Sequence, residues 1–187
     1  VSSIHNFCIT DMSNFYLDII KDRLYCTGEK SVDRRAAQTA MYKILSALSR
    51  MLAPILSFTA EEIWKYIPHS SSDDTRSICM NDMPEKLDIS VDESFTEKWN
   101  AIYQLRSDVT KALEAKRQNK FIGAPLEAKV IIHAGANFDK FSTFKDILEK
   151  VFIVSAVEIA ADGTGEYGSD NFEGVTDDVE RASGDKC

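Results

Sequence analysis

Hydrophobic residues recur at every third or fourth position in four stretches of the first 120 residues, and a different pattern follows Gly123. The first spacing is that of one face of an α-helix. After Gly123, residues 126–133 alternate and are rich in β-branched side chains, which is typical of a strand. The sequence therefore predicts a mainly α-helical bundle followed by a small α+β domain.

Two helices are predicted in the first 54 residues. The first spans residues 1–24 and ends before Gly28, and the second begins near Ser31 or Asp33, either of which is a good N-cap. The second helix ends before Pro54, because proline cannot continue a helix. Their apolar stripes are Ile4, Cys8, Met12, Phe15 and Ile19 in the first helix, and Ala37, Met41, Ile44, Leu48 and Met51 in the second.

Two further helices are predicted before residue 120. Thr59 and Glu62 have the spacing of a capping box, which predicts that a short helix begins there and ends at Pro68. A long fourth helix ends near Asn119. Its apolar stripe is Phe95, Trp99, Ile102, Val109 and Leu113.

A β-α-β unit is predicted over residues 121–161. Residues 126–133 and 151–160 are the predicted strands, and the stretch 137–150 between them has a helical stripe formed by Phe138, Phe141, Phe144 and Leu148. A helix that connects two strands favours parallel pairing. The predicted domains are thus residues 1–120, helical, and 121–161, mixed.

Residues 162–187 are rich in glycine and acidic residues and poor in apolar ones. This composition predicts a loop or tail, with at most a short strand near residues 172–175. The net charge of −8 comes from this end of the chain, since residues 158–185 contain nine acidic residues and one arginine. Residues 21–50 and 106–130 are locally basic. Phosphate contacts need such basic faces, although a solvated helix surface is the alternative for each.

The sequence contains no motif of a catalytic or nucleotide-binding site. His5, His69 and His133 lie far apart, and none has a cysteine or carboxylate beside it at metal-ligand spacing. Adjacent Glu61 and Glu62 fit helix capping better than paired-carboxylate catalysis. We therefore predict no catalytic residue, no metal site and no cofactor within the chain.

The four cysteines are predicted to be reduced thiols, because the chain has no CxxC pair and no secretory signal. No apolar run reaches the roughly eighteen residues that a membrane span needs. The chain begins without methionine, in what the pattern indicates is the middle of a helix. We therefore expect it to be part of a longer, cytoplasmic protein.

One cluster of polar residues is a candidate for RNA binding. The end of the first predicted helix and the start of the second should meet across a short connection. Arginines grip phosphates and stack on bases, glutamine reads base edges and tyrosine offers a stacking face, although ordinary caps and salt bridges would use the same residues. The candidates are Lys21, Arg23, Tyr25, Arg34, Arg35 and Gln38.

Three runs of sequence, residues 15–25, 34–45 and 52–64, resemble in order and spacing the anticodon-binding region of isoleucyl-tRNA synthetase, a class I aminoacyl-tRNA synthetase. Residues 123–132 are similar to the start of the small α+β junction domain of that family, of the bacterial type. The ending GDKC resembles the start of a C-terminal zinc finger, with Cys187 as its first ligand. Valyl- and leucyl-tRNA synthetases share the run 52–64 more loosely.

The resemblance implies a fold, a partner and a parent activity. The helical region would bind the anticodon stem-loop of tRNA(Ile) through the six candidate residues, and the acidic tail would lie away from the RNA. The parent enzyme would be a monomer that aminoacylates tRNA(Ile) with ATP and magnesium, and it would hold a C-terminal zinc. A helical scaffold for protein interaction remains the alternative from another functional class.

We expect the purified chain to hold no stoichiometric zinc, because Cys187 is its last residue and one thiolate cannot supply the three or four ligands that zinc requires. Elemental analysis of the protein, after dialysis against a weak chelator, measures this. One zinc ion per chain would mean that Cys8, Cys26 or Cys79 converges on a site that the spacing does not indicate.

Overall fold

The computed structural model describes residues 2–183, which form two compact units divided between Ile89 and Ser90. Each unit has its own buried apolar residues. Within residues 2–183, no helix is both long enough and apolar enough to cross a membrane.

The regular elements of the first unit are all helices. In chain order they are α1 (Ser2–Asn6), a π-helix (Phe7–Tyr16), α2 (Leu17–Ile19), α3 (Lys21–Tyr25), α4 (Val32–Leu52), α5 (Ser57–Trp64) and a 3-10 helix (Ile78–Met80).

The segment predicted as one α-helix over residues 1–24 is helical, but a ten-residue π-helix occupies its middle. There the amide of Leu17 donates to the carbonyl of Met12, five residues back. Because a π turn contains more residues than an α turn, side chains three and four positions apart no longer lie in line. The predicted stripe is accordingly half-buried, whereas Ile20, outside that stripe, is 1% exposed.

The predicted boundaries of α4 are confirmed, since Ser31 precedes its first turn and the helix ends two residues before Pro54. The predicted start of the next helix is wrong. Helix α5 begins at Ser57, so Thr59 lies inside it and forms no capping box. The Ser57 hydroxyl donates to the carbonyl of Ala53 at 2.8 Å, which links the start of α5 directly to the end of α4.

Glu61 and Glu62, which the sequence predicted as helix caps, bind other groups. Glu61 accepts hydrogen bonds from the hydroxyl of Ser77 and the amide of Ile78, and the first of these lowers its pKa. Glu62 pairs with Lys65 at 2.8 Å. Since Ile78 is 1% exposed, Glu61 fixes the loop that carries Ile78 into the core.

Trp64 lies in the core of the first unit. Its indole nitrogen donates to the carbonyl of Asp74 at 3.1 Å, and the guanidinium carbon of Arg50 lies 5.3 Å from its ring centroid. Arg50 also pairs with Asp73 at 2.6 Å. These contacts hold the polar loop after α5 against the helices. The buried residues around Trp64 are Ala53, Ala60, Ile67 and Ile78.

The second unit combines helices with a four-stranded sheet. Its elements are α6 (Glu93–Gln118), a 3-10 helix (Pro125–Glu127), β1 (Ala128–His133), a 3-10 helix (Gly135–Asn137), α7 (Phe138–Ser142), α8 (Lys145–Phe152), β2 (Ala156–Ala160), β3 (Tyr167–Gly168) and β4 (Thr176–Arg181).

The strand order of the sheet is β2-β1-β4-β3. Strands β1 and β2 are parallel, as predicted, and β4 is antiparallel to both β1 and β3. Val130 in β1 lies opposite Val157 in β2 and Val179 in β4, and all three side chains are buried. This register defines the inner face of the sheet.

The helix and strand predicted over residues 137–160 are divided differently in the structure. Two short helices, α7 and α8, replace the single helix, with the break after Ser142. Val151 and Phe152, predicted to begin the strand, end α8 instead, and Ile153 terminates that helix in the left-handed conformation with φ 59°. The apolar run at this point fits a buried helix turn as well as a buried strand, so its pattern alone did not separate them.

The segment predicted as an acidic tail forms part of the sheet. Strand β4 lies between β1 and β3, and Val175 and Val179 are buried. The short strand predicted near residues 172–175 begins instead at Thr176. The sequence of β4 does not show the apolar and polar alternation of a strand, because the buried position 177 is occupied by an aspartate.

Helix α6, predicted as part of the bundle over residues 1–120, lies in the second unit with the sheet. It packs against α8 and β4, and Ile102, Leu105 and Val109 have no exposed surface. Phe95, predicted in the same stripe, is 54% exposed. The apolar face of α6 is therefore part of the core of the second unit from Ala101 onward.

We expect Leu105→Ala to lower the free energy of unfolding by about 2–5 kcal/mol, because it leaves a cavity in a closed core. Phe95→Ala on the same helix is the matched control and should cost less than about 1 kcal/mol, since most of that ring is in solvent. Urea denaturation followed by circular dichroism measures both. Equal losses for the two variants would contradict this assignment of the core.

Candidate nucleic-acid interface

The turn between α3 and α4 brings three of the six predicted residues together. A groove of about 590 Å³ at the start of α4 is lined by Arg34, Arg35 and Gln38, and also by Glu29 and Lys30 from the turn itself. The structure thus brings two of the predicted cations and the predicted amide together, and their role in RNA binding stays a prediction. Glu29 and Lys30 were missed, because residues in a turn show no periodic pattern that indicates where their side chains point.

Arg34 holds the turn in place. Its guanidinium donates to the carbonyl of Thr27 at 3.1 Å, and the Thr27 hydroxyl donates to the carbonyl of Arg23 at 2.6 Å. The amide of Ser31 donates to the carbonyl of Gly28 at 2.9 Å, which closes the turn before α4 begins. The end of α3 and the start of α4 are therefore joined by side-chain and backbone hydrogen bonds.

Arg35 and Gln38 are exposed at the start of α4. They are three residues apart and so lie on neighbouring positions of one helix face. Among residues 2–183, the guanidinium of Arg35 has no ion-pair partner. Its five N–H donors are consequently open to a ligand.

The three candidates on α3 do not line the groove. Lys21 is bound to Asp18 at 2.6 Å, a contact that raises the pKa of Lys21, and Arg23 is half-buried. Tyr25, at the end of α3, is 81% exposed. Of these three, Tyr25 is the side chain whose ring is most open to a stacking partner.

The groove is basic in spite of the acidic chain. Lys30, Arg34 and Arg35 supply three cations against the single carboxylate of Glu29. The N-terminus of α4, a helix of 21 residues, adds the partial positive charge of its free amide groups. Its local charge therefore suits a phosphate group.

The second basic stretch of the sequence offers less free charge. At the end of α6, Lys116 pairs with Glu166 at 2.5 Å, and Arg117 binds both carboxylate oxygens of Glu114, the shorter contact being 2.8 Å. These acids offset the attraction of this surface for phosphate.

The described residues contain no group of three or more histidine, cysteine, aspartate or glutamate side chains that could hold a metal ion. Cys8, Cys26 and Cys79 are free thiols. Cys187, which the resemblance made a candidate zinc ligand, lies outside the described residues.

Comparison with known proteins identifies the family of this helical region. Residues 1–132 match the family of the anticodon-binding domain of tRNA ligase. The chain belongs to this family. The match includes α3, α4 and the turn between them, and it extends through α6 into β1.

Curated relatives of the chain include isoleucine–tRNA ligases, which confirms the resemblance found in the three sequence runs. The chain is 44% identical to that of Natranaerobius thermophilus and 42% identical to that of Syntrophotalea carbinolica, over 98% and 99% of its length. The protein of Caldicellulosiruptor saccharolyticus is 46% identical over 98% of the chain. The chain spans about a fifth of the length of these relatives.

Arg34 and Arg35 should differ in their effect on stability. Arg34→Ala removes the hydrogen bond to the Thr27 carbonyl and should lower the free energy of unfolding of the first unit by about 0.5–1.5 kcal/mol. Arg35→Ala, its neighbour in the same helix turn, should change it by less than about 0.5 kcal/mol. Thermal and urea denaturation of both variants measure the difference. Indistinguishable variants would show that the Arg34 bond does not hold the turn.

Proposed function

We propose that this chain is the part of an isoleucine–tRNA ligase that binds the anticodon stem-loop of tRNA(Ile). The observation that carries the proposal is the basic groove at the start of α4, found in a chain of the anticodon-binding family. Identity of 41–46% to isoleucine–tRNA ligases over nearly the whole chain supports isoleucine as the amino acid of the parent enzyme.

The basic and amide side chains of the groove, and Tyr25 at the end of α3, would have distinct roles. Arg35 and Lys30 would bind phosphates of the loop, and Gln38, one turn along α4, would donate to and accept from a base edge. Tyr25 would stack on an unpaired base. Arg34, tied to Thr27, would chiefly keep the turn in the shape that presents the others.

The remaining candidates, Lys21 and Arg23, would add longer-range attraction. Lys21 must share its charge with Asp18, and Arg23 is half-buried, so their contribution should be smaller than that of Arg35. The proposal assigns no catalytic residue to this chain. ATP-dependent aminoacylation would belong to other parts of the ligase.

The principal test compares tRNA(Ile) binding by the chain and by the variant Arg34→Ala with Arg35→Ala. Each specific contact is worth roughly 1–3 kcal/mol, so the double variant should bind about tenfold or more weakly. The slope of log affinity against log salt should also become shallower by about one to two, because fewer counterions are released. Fluorescence anisotropy across a salt series measures both quantities.

The matched control is Lys116→Ala with Arg117→Ala, which removes two cations that are already paired. This variant should bind nearly as well as the parent. If instead the control loses affinity and the double variant at α4 does not, the RNA surface lies at the end of α6 and the proposed site is wrong.

An apolar groove of about 340 Å³ in the first unit is the observation that favours a protein-interaction scaffold. Its lining combines Ile4 and Phe7 with Ile44, Leu48 and Met51 of α4. A tRNA(Ile) transcript with a changed anticodon separates the two functions. The proposed function requires weaker binding of that transcript, whereas a scaffold would bind both transcripts equally poorly.

A further inference from the structure

Residues 161–166, between β2 and β3, lie against the sheet and are here termed the strap. The carbonyl of Asp162 is 3.1 Å from Nδ1 of His133 on β1. The amide of Glu166 donates to Asp178 on β4 at 2.8 Å. The amide of Gly165 donates to the hydroxyl of Thr176, also on β4, at 2.7 Å. The strap is thus fastened to both central strands.

Glycine is required where the strap crosses the histidine. A Cβ atom on Gly163 would lie 2.5 Å from Nδ1 of His133, and the φ of Gly163 is +113°. A Cβ atom on Gly165 would lie 2.6 Å from the backbone of Asp177. The strap is therefore in direct contact with His133 of β1 and with Asp177 of β4.

The hydrogen bonds of His133 require a charged ring. Its Nδ1 faces the Asp162 carbonyl and its Nε2 faces a carboxylate oxygen of Asp178 at 3.1 Å. A carbonyl and an ionised carboxylate can only accept, whereas a neutral imidazole can donate from one nitrogen only. Both bonds exist together when the imidazole is protonated. These bonds, that of Asp162 first, raise the pKa of His133.

The neighbouring acid, Asp177, is instead favoured in its neutral, protonated form. Asp177 is 1% exposed on the inner face, and neither of its carboxylate oxygens has a hydrogen-bond partner among the described residues. Burial in the first place, and the charge of Asp108 on α6 in the second, raise the pKa of Asp177 to about 7. Asp108 is itself bound by Ser169 and Asn171. Asp177 is accordingly a buried acid that is stable when neutral.

We propose that the strap is a pH-dependent clasp, fastened while His133 is protonated and Asp177 is neutral, and released as both lose their protons. Loss of the His133 proton removes one of its two bonds. Ionisation of Asp177 leaves a buried charge without donors, directly opposite Tyr167 of β3, the strand to which the strap leads.

The surrounding charges set the direction of the response. The backbone carbonyl of Asp162 and the carboxylates of Asp178 and Asp177 favour the protonated form of His133. The charge of His133 in turn lowers the pKa of Glu158. Asp108 and Asp178 oppose the ionisation of Asp177, while His133 favours it. Lys116 holds Glu166 at the end of the strap at 2.5 Å and does not titrate in this range.

Deprotonation of His133 and deprotonation of Asp177 both weaken the strap, so both effects grow as the pH rises. The pKa of each is raised in the folded protein, so each contributes stability at low pH that is lost as the pH rises. For Asp177 the loss runs from its ordinary value of about 4 to about 7, and for His133 it begins near 6.5 and extends higher. The strap should therefore loosen progressively as the pH rises through these ranges.

Amide hydrogen exchange of Gly165 and Glu166 tests the clasp, because these two amides make the hydrogen bonds that release would break. After correction for the intrinsic rate, protection of both should fall at least about tenfold from pH 6 to pH 8. In His133→Gln and Asp177→Asn, the fall should be smaller. His5→Gln, an exposed histidine of the other unit, is the control and should behave like the parent.

A titration of the His133 ring by NMR keeps the proposal testable if a variant fails to fold. The expected result is an imidazole that keeps both nitrogen-bound protons above pH 6.5 and whose titration coincides with the loss of Gly165 protection. A ring that titrates at or below 6.5, or protection that is unchanged between pH 6 and 8, overturns the proposal.

Discussion

The candidate interface depends on the hydrogen bond from Arg34 to the carbonyl of Thr27. This bond reaches from the first turn of α4 back to the residues that follow α3, so the turn between them has a defined shape. Together with the backbone bond from Ser31 to Gly28, it fixes the turn that carries Lys30 and therefore one wall of the groove. Binding by a preformed groove avoids the entropy cost of ordering a loop on contact with RNA. One arginine therefore organises a surface whose other cations are left to bind.

The acidic composition of the chain does not oppose this role, because many of the carboxylates have partners within the second unit. Glu158 pairs with Lys129, Glu166 with Lys116, and Asp170 with Lys111. Paired charges produce a weaker field at a distance than free ones. The net charge of −8 therefore does not describe the electrostatic potential at the start of α4.

The second unit shows how a polar sequence can be part of a sheet. Strand β4 has the sequence TDDVER, in which apolar and polar positions do not alternate cleanly. The buried Asp177 occupies a position that pattern reading assigns to an apolar residue. Backbone pairing with β1 on one side and β3 on the other holds this segment as a strand, although its side-chain pattern does not indicate one. Such pairing depends on strands distant in sequence, and no local window contains it.

The sequence by itself determined the helices α4 and α6, the strand β1, its parallel pairing with β2 and the family of the chain. These follow from periodicity, caps and prolines, which act over a few residues and are therefore visible locally. It also placed Arg34, Arg35 and Gln38 at the start of one helix. Only the tertiary structure decided the π-helix, the role of Glu61, the place of β4 and the presence of Glu29 and Lys30 in the groove. The role of Glu61 and the place of β4 depend on contacts between residues that are distant in sequence. The π-helix and the turn residues are local, but they lack a periodic pattern from which their side-chain positions could be predicted.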